Sequence, residues 1–448
     1  MIAELEHEVE RVTGHADPVK FSPDGIFYDG PTGRYLVEAG PYFRTYGRKS
    51  PVMTGVQRHF MSMGMDGREA LQAARDAIRD AEIDRHVEWS GNLAGHRKGL
   101  LHSIDGKPML VLTSPSIPMP APGPAPVISG LIRQAFPDQV QRDIFLGWLA
   151  GGYKAVSAGV HCPAPMLCVA GKPNTGKSLL ALIVKLGLGG RSANPHVAWT
   201  GALPWNDNLV GAELLLLDDC QGSTDIRSRV NFGSCFKEAI YSAAVELRKR
   251  HSSSMDVRPV WRTMICCNDT AESLLVLPPV NSDTSDKVIL LRIEPVTPPV
   301  DTSHPEGKLE LQRMINAELP QLAGYLSGFI VPEELRDSRS GILAWRHPDL
   351  VQVIEATKPE SRLEELIQSA FRAAHLWNDL PATLTASEIE SRLLDKDSPV
   401  RDQIKSLFTW QGAAGTYLSR LADGGSAIVQ SAEFDAHKKA RRFFIRPQ

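Results

Sequence analysis

The sequence predicts an α/β fold, and three short apolar runs that each end in polar residues are what predict it. The first, Met166 to Ala170, breaks into Gly171-Lys172-Pro173-Asn174-Thr175-Gly176-Lys177-Ser178 and then into an apolar helical stretch, Leu179 to Leu186. The second, from Ala212, closes on Asp218 and Asp219; the third, Trp261 to Cys267, closes on Asn268. Runs this short bounded by turn signals read as buried strands, and the helical periodicity between them makes the class α/β.

Each strand end carries a chemical expectation. Residues 171–178 fit G-x-x-x-x-G-K-[ST] between a strand and a helix. Glycines there let backbone N–H groups converge on phosphate oxygens, and the helix that follows aims its positive end at the same place. Gly171, Lys172, Pro173, Asn174, Thr175 and Gly176 then form a phosphate cradle. Lys177 reaches the β- and γ-phosphates and Ser178 holds Mg²⁺, so ATP and Mg²⁺ are the expected cofactors. A carboxylate at the second strand end can complete a metal shell while its neighbour polarises the attacking water. Asp218 is assigned to the metal and Asp219 to the water, with the two roles exchangeable. Asn268 can both donate and accept, which suits it to orient the lytic water or sense the γ-phosphate.

Composition narrows the rest. A chain of 448 residues has room for about three domains. Its 42% hydrophobic and 23% charged content is that of an ordinary globular protein. No apolar run reaches the roughly 18–20 residues that span a bilayer, and Met1 to Glu8 is acidic rather than signal-like, so no membrane partner and a cytoplasmic setting are expected. The six cysteines show no C-x-x-C pairing or zinc spacing and read as buried reduced thiols. With a net charge of −3, any nucleic-acid surface must be a local patch.

In chain order, residues 1–113 read as an α+β accessory domain, with a hairpin over 25–37, a helix over Glu69 to Ile83 and a strand over Lys107 to Thr113. They hold neither a primase-like nor a nuclease constellation. His96, Arg97 and Lys98 there read as a solvated turn. Prolines crowd residues 114–126, which excludes helix and inner strand and predicts an extended linker. Helical pattern over 127–160 predicts a collar packed ahead of the core at 161–300, and an amphipathic stretch from Leu309 to Ile330 predicts a helical extension within 301–358. Between the last two core strands, Val245 to Val257 reads as a hairpin. Its tip, Arg248, Lys249, Arg250 and His251, concentrates positive charge suited to a nucleic-acid backbone.

These pieces together resemble the superfamily 3 helicases, a branch of the AAA+ ATPases, and more narrowly the poxvirus-type primase–helicases of phages, plasmids and integrated elements. The residues that carry the resemblance are Gly171 to Ser178, the run Trp205 to Asp219, the short gap between those motifs, and the Asn268 strand. The resemblance covers 127–295 well and the first 113 residues only vaguely. It implies a ring, usually a hexamer, with ATP between subunits, single-stranded DNA in the centre, and the basic hairpin as the translocating element. It also implies a catalytic arginine donated by a neighbouring subunit shortly after the Asn strand. Here Lys287 occupies the expected place and Arg292 lies beyond it; both are candidates, although lysine lacks the planar fork of arginine. Many relatives carry a primase module ahead of the helicase; residues 1–113 lack its metal-binding acids, so no primer synthesis is expected of this chain and a separate primase is a candidate partner.

Residues 359–448 read as a winged helix. Arg362 to Leu376 is a helix, Thr385 and Glu388 form a capping box for a second, and Gly415 to Leu421 is the candidate recognition helix. Ala427 to Ser431 and Arg441 to Ile445 are wing strands. Lys438, Lys439, Arg441 and Arg442 on that wing would grip phosphate, so double-stranded DNA joins the expected partners. The expectation is an ATP-driven, ring-forming DNA helicase of mobile-element replication. Its rival is a non-unwinding AAA+ switch, loader or defence ATPase whose nucleotide state controls assembly.

Overall fold

The computed structural model describes residues 21–218, 226–250, 253–277, 286–356, 359–373, 375–408, 410–432, 434 and 441–446. The chain divides into two compact units, Met1–His347 and Pro348–Gln448.

The first unit opens with β1 (Ile26–Asp29), β2 (Arg34–Ala39), β3 (Tyr42–Tyr46), α1 (Lys49–Ser62), α2 (Gly67–Ile83) and β4 (His86–Val87). The strands form one sheet in the order β3-β2-β1-β4. Alternation along β2 sends Tyr35 and Val37 toward Val52, Val56, Ala74 and Ile78 of the helices, and Leu36 toward Phe43, Val87 and Leu110 on the other face. The helix expected from Glu69 begins two residues earlier, because the Asp66 carboxylate caps it by accepting from the Arg68 and Glu69 N–H groups at 2.7 and 2.9 Å. A smaller sheet follows, from β5 (Trp89–Gly91), β6 (Gly99–His102) and β7 (Pro108–Val111), with β7 in the middle.

Residues 114–125 of the proline-rich stretch have neither helix nor strand and run as a strap across the core, and Pro126 opens the next helix. Ser116 N–H donates to Gly189 O at 3.0 Å, Pro118 O accepts from the Tyr153 hydroxyl at 3.0 Å, and Ala121 N–H donates to Pro320 O at 2.8 Å. At the last crossing only glycine fits the long helix below, since a Cβ on Gly324 would lie 2.2 Å from Ala121 O.

The core then runs through α3 (Pro126–Ala135), α4 (Gln139–Ala158), β8 (Met166–Ala170), α5 (Lys177–Gly187), β9 (Ser192–Ala193), α6 (His196–Trp199), α7 (Asp207–Val210), β10 (Leu214–Asp218) and α8 (Ile226–Tyr241). It continues with β11 (Val245–Leu247), β12 (Met255–Val257), β13 (Arg262–Cys267), α9 (Ala271–Leu274), β14 (Val288–Arg292) and α10 (Pro305–Gly328). Five strands make a parallel sheet in the order β14-β8-β13-β10-β9. Every residue of β8 and β13 is buried, as a strand covered on both faces requires. Ile144, Trp148, Ile183, Val184, Ile315 and Leu326 pack from the helices onto Leu167, Val169, Met264 and Ile289. The chain leaves β8 for the far edge at β9 and finishes on the opposite side at β14. The carboxyl end of β8 is therefore a topological switch point, where such sheets leave a crevice.

The second unit contains α11 (Pro348–Ala356), α12 (Pro359–Ala370), β15 (Ala382–Thr385), α13 (Ala386–Leu393), α14 (Arg401–Leu407), α15 (Ala413–Asp423), β16 (Val429–Ser431) and β17 (Arg442–Ile445). Its three strands are antiparallel, with β17 between β15 and β16, and Leu363, Ile367, Ile389, Leu418 and Phe443 fill its core. The helix expected to reach Leu376 stops at Ala370, and the chain turns back so that Trp377 packs edge-on against Phe371 with ring centroids 5.4 Å apart. The capping box forms as its residues require: Thr385 Oγ1 accepts from Glu388 N–H at 3.3 Å, and Glu388 Oε2 accepts from Thr385 N–H at 2.7 Å. Thr385→Ala is expected to lower the stability of this unit by about 1 kcal/mol, read as a shift in its urea midpoint with the slope unchanged. A change of a few tenths would mean that packing alone starts α13.

Candidate nucleotide site and basic hairpin

The loop between β8 and α5 is shaped by its backbone. Asn174 has φ 62° and Gly176, immediately before the helix, has φ 93°, so the chain curls twice through left-handed conformations. Gly171 lies so close to the segment after β14 that a Cβ would be 2.8 Å from Ile293 O. Thr175, buried inside the loop, ties it across by donating to Lys172 O at 2.9 Å.

Side chains from three adjacent strand ends meet above this loop. Lys177, 7% exposed, folds back so that Nζ donates to Gly171 O at 2.9 Å, Lys172 O at 2.8 Å and Asn268 Oδ1 at 3.2 Å. Ser178 Oγ donates to Asp218 Oδ2 at 3.1 Å. The register explains the meeting: Asp218 pairs with Cys266 and Cys267 with Ala170, which brings β10, β13 and β8 to one edge. The strand bearing Asn268, β13, thus lies between β8 and the acidic strand β10. Asp219 lies outside the described residues.

Arg292 and Lys287 occupy opposite ends of β14. Arg292 pairs with Ala170 at the crevice edge, where Gln141 Oε1, a buried glutamine of α4, accepts from its N–H at 2.9 Å. Its side chain lies 4.0 Å from Glu294. Lys287 precedes the strand at the far edge, with Nζ 2.6 Å from Asp286 and 5.5 Å from the centre of the Tyr241 ring. In the second unit, Arg441 bridges Asp423 at 2.6 Å and Ser431 at 3.1 Å, and Arg442 donates to Thr383 O at 3.0 Å. Lys438 and Lys439 lie outside the described residues.

The hairpin forms as β11 and β12, paired Val245 with Val257 and Leu247 with Met255. Its described tip cations are engaged to different degrees. Arg248 pairs with Glu246 at 2.9 Å, Lys249 Nζ donates to Ser90 O at 3.2 Å, and Arg250 is exposed; His251 lies outside the described residues. Asn206 clamps the first arm, donating from Nδ2 to Glu246 O at 2.8 Å and accepting at Oδ1 from Arg248 N–H at 2.8 Å. Residue-by-residue reading missed this role, because an asparagine in a polar run looks like any turn residue. The N-terminal region meets the second arm through the turn between β6 and β7. There the Lys107 ammonium and the Ser103 hydroxyl hold the Asp105 carboxyl down to about 2, so it is ionised at neutral pH.

The class defined by this geometry is a mixed α/β fold with a parallel sheet; no protein-family model and no curated protein matches the chain. Among solved structures it is similar to the apo structure of the NrS-1 C-terminal region (305–718), with a TM-score of 0.55 and 14% identity over 94% of this chain and 96% of that one. An A form apo structure of the same region gives a TM-score of 0.54 at 14% identity, over 96% of this chain and 100% of that one. At such identity the likeness establishes a common fold. A structure described as the SCCmec type IV Cch active helicase matches at a TM-score of 0.32 and 11% identity over 89% of this chain and 72% of that one, too low to carry an argument. Among the described residues no helix is long and apolar enough to cross a membrane.

Proposed function

We propose that the chain is an ATP-dependent DNA helicase of the superfamily 3 branch of the AAA+ ATPases, working as a ring, usually a hexamer, on single-stranded DNA. The observation that carries this reading is the convergence of Lys177, Ser178, Asp218 and Asn268 on one crevice edge. The site fits a nucleotide and its metal. The lysine ammonium rests on loop carbonyls that phosphate oxygens would replace, and a hydroxyl and a carboxylate already pair where two metal ligands are needed. ATP with Mg²⁺ supplies the phosphoryl group whose transfer to water drives the cycle.

The chain's own residues do the rest. Lys172 and residues 174–176 present backbone N–H groups, Lys177 holds positive charge against the phosphates, and Ser178 and Asp218 offer oxygens to the metal. Asn268 orients a water by its amide, and Asp219 is the carboxylate that polarises it, the two aspartates being exchangeable. A residue that serves a neighbouring subunit must stand away from its own site. Lys287, beyond the far end of β14 from the crevice edge, meets that condition, roughly 16 Å off at about 3.3 Å per residue. Arg292 sits at the edge of its own site. In the second unit, the three-stranded sheet and its helices support a winged helix that grips double-stranded DNA through Arg441, Arg442, Lys438 and Lys439.

One observation favours the rival reading of a non-unwinding switch or loader. Arg248 and Lys249 spend their charge within the chain, on Glu246 and Ser90. ATPase measured with and without oligo(dT) across a salt series separates the two. A motor is expected to show at least about fivefold stimulation that fades with salt as phosphate contacts are screened. An ATPase indifferent to DNA would select the switch.

A further inference from the structure

The second arm of the hairpin is an edge strand, and the N-terminal region covers that edge. Side chains alternate along a strand, and so do the backbone groups that face one side of it. Every second residue from 254 to 260 turns its backbone to the N-terminal region. Ser254 O accepts from Lys107 Nζ at 2.7 Å; Asp256 O accepts from Ile104 N–H at 2.9 Å, and Asp256 N–H donates to Asp105 Oδ1 at 3.4 Å. Arg258 O lies 2.8 Å from His96 Nε2, and Val260 N–H donates to Ala94 O at 2.9 Å. Lys249 near the tip reaches Ser90 O from the other arm. Asp105 also accepts from Ser103 Oγ at 2.7 Å and pairs with Lys107 at 2.9 Å, so the turn that meets the hairpin is itself braced.

We propose that residues 90–107 are the seat of the hairpin, and that Asp105 and Lys107 are positioning residues that set the height and angle at which its basic tip meets the DNA backbone. This gives the N-terminal region a task within the motor. An isolated two-stranded hairpin is marginally stable in water, and this one has three residues per strand. Its orientation must come from what it leans on, and along the second arm that is the turn at 103–107 together with Ala94 and His96. The inference rests on the DNA-gripping reading of the hairpin given above.

The test uses the full chain with Asp105→Ala, Lys107→Met and Lys107→Arg. Hydrogen exchange across 245–257 should accelerate in the first two and return toward wild type in Lys107→Arg, which keeps a cation able to donate to Ser254 O. Basal ATPase should stay at the wild-type rate, because neither residue approaches the crevice. The oligo(dT) concentration for half-maximal stimulation should rise about fivefold in Asp105→Ala and Lys107→Met, the scale of one lost hydrogen bond. Faster exchange with unaltered DNA response would overturn the proposal, as would unaltered exchange. A wild type that ignores DNA would instead overturn the DNA reading itself and this inference with it.

Discussion

Lys177→Ala is expected to slow ATP hydrolysis by about a hundredfold to a thousandfold while the protein stays folded. The lysine touches both the loop at 171–178, through Gly171 O and Lys172 O, and Asn268 at the end of β13. Charge that develops on a transferring phosphoryl group is stabilised best by a donor already fixed in a shielded place, and this ammonium is almost fully buried. Alanine is the best helix former and Lys177 opens α5, so the helix loses nothing intrinsic. The carbonyls left behind face the crevice and find water. Lys177→Arg should not rescue, since a planar fork does not reproduce a compact point charge among three close acceptors. Phosphate release at saturating ATP, with far-ultraviolet circular dichroism as the folding control, is the measurement. Hydrolysis above a tenth of wild type would remove Lys177 from the chemistry.

What could be read in advance follows the distance over which each feature is encoded. The strand, glycine-bearing turn and helix around 171–178 are contiguous within residues 166–187, and the strand and helix expected on either side of the turn are the ones observed. The capping box at Thr385 and Glu388 is local in the same way. The Ser178–Asp218 contact is not, because it depends on the Asn268 strand lying between β8 and β10, which only the sheet order settles.

Two missed elements show the other limit. β15 is four residues long and exists because β17 pairs with it, Ala382 against Ile445. α1 carries Pro51, Val52, Thr54 and Gly55, poor helix formers taken together, and Gly55 is there because the Phe21 ring fills the space of its Cβ, 2.5 Å away. In both, tertiary packing outweighs local preference. The seat of the hairpin belongs to this second kind: Asp105 and Lys107 are unremarkable until the fold brings them to the second arm of the hairpin, and Ser90 until it meets Lys249 of the first.

The same reasoning makes Glu213 a residue whose loss should cost several kcal/mol in stability. It stands immediately before the acidic strand β10, yet it is completely buried. Its Oε2 accepts from Arg191 Nε at 3.0 Å, its Oε1 pairs with Arg191 Nη2, and Oε1 also accepts from Gly95 N–H at 2.8 Å. Arg191 in turn donates to Thr113 O and Leu93 O, each at 3.3 Å. One carboxylate therefore fastens the base of β10 to both ends of the N-terminal region's junction with the core. Glu213→Ala strands a largely buried guanidinium and orphans the Gly95 N–H, so unfolding of the first unit should become easier by about 3–5 kcal/mol. Glu213→Gln keeps an acceptor for Gly95 but not the charge, and should lose less. Glu213→Leu combined with Arg191→Met removes both charges and should recover part of the loss, since a paired burial of charge is worth little more than an apolar pair. Urea titration of the three variants decides it. If Glu213→Ala costs under about 1 kcal/mol, the value of an exposed pair, the carboxylate is not the fastening point.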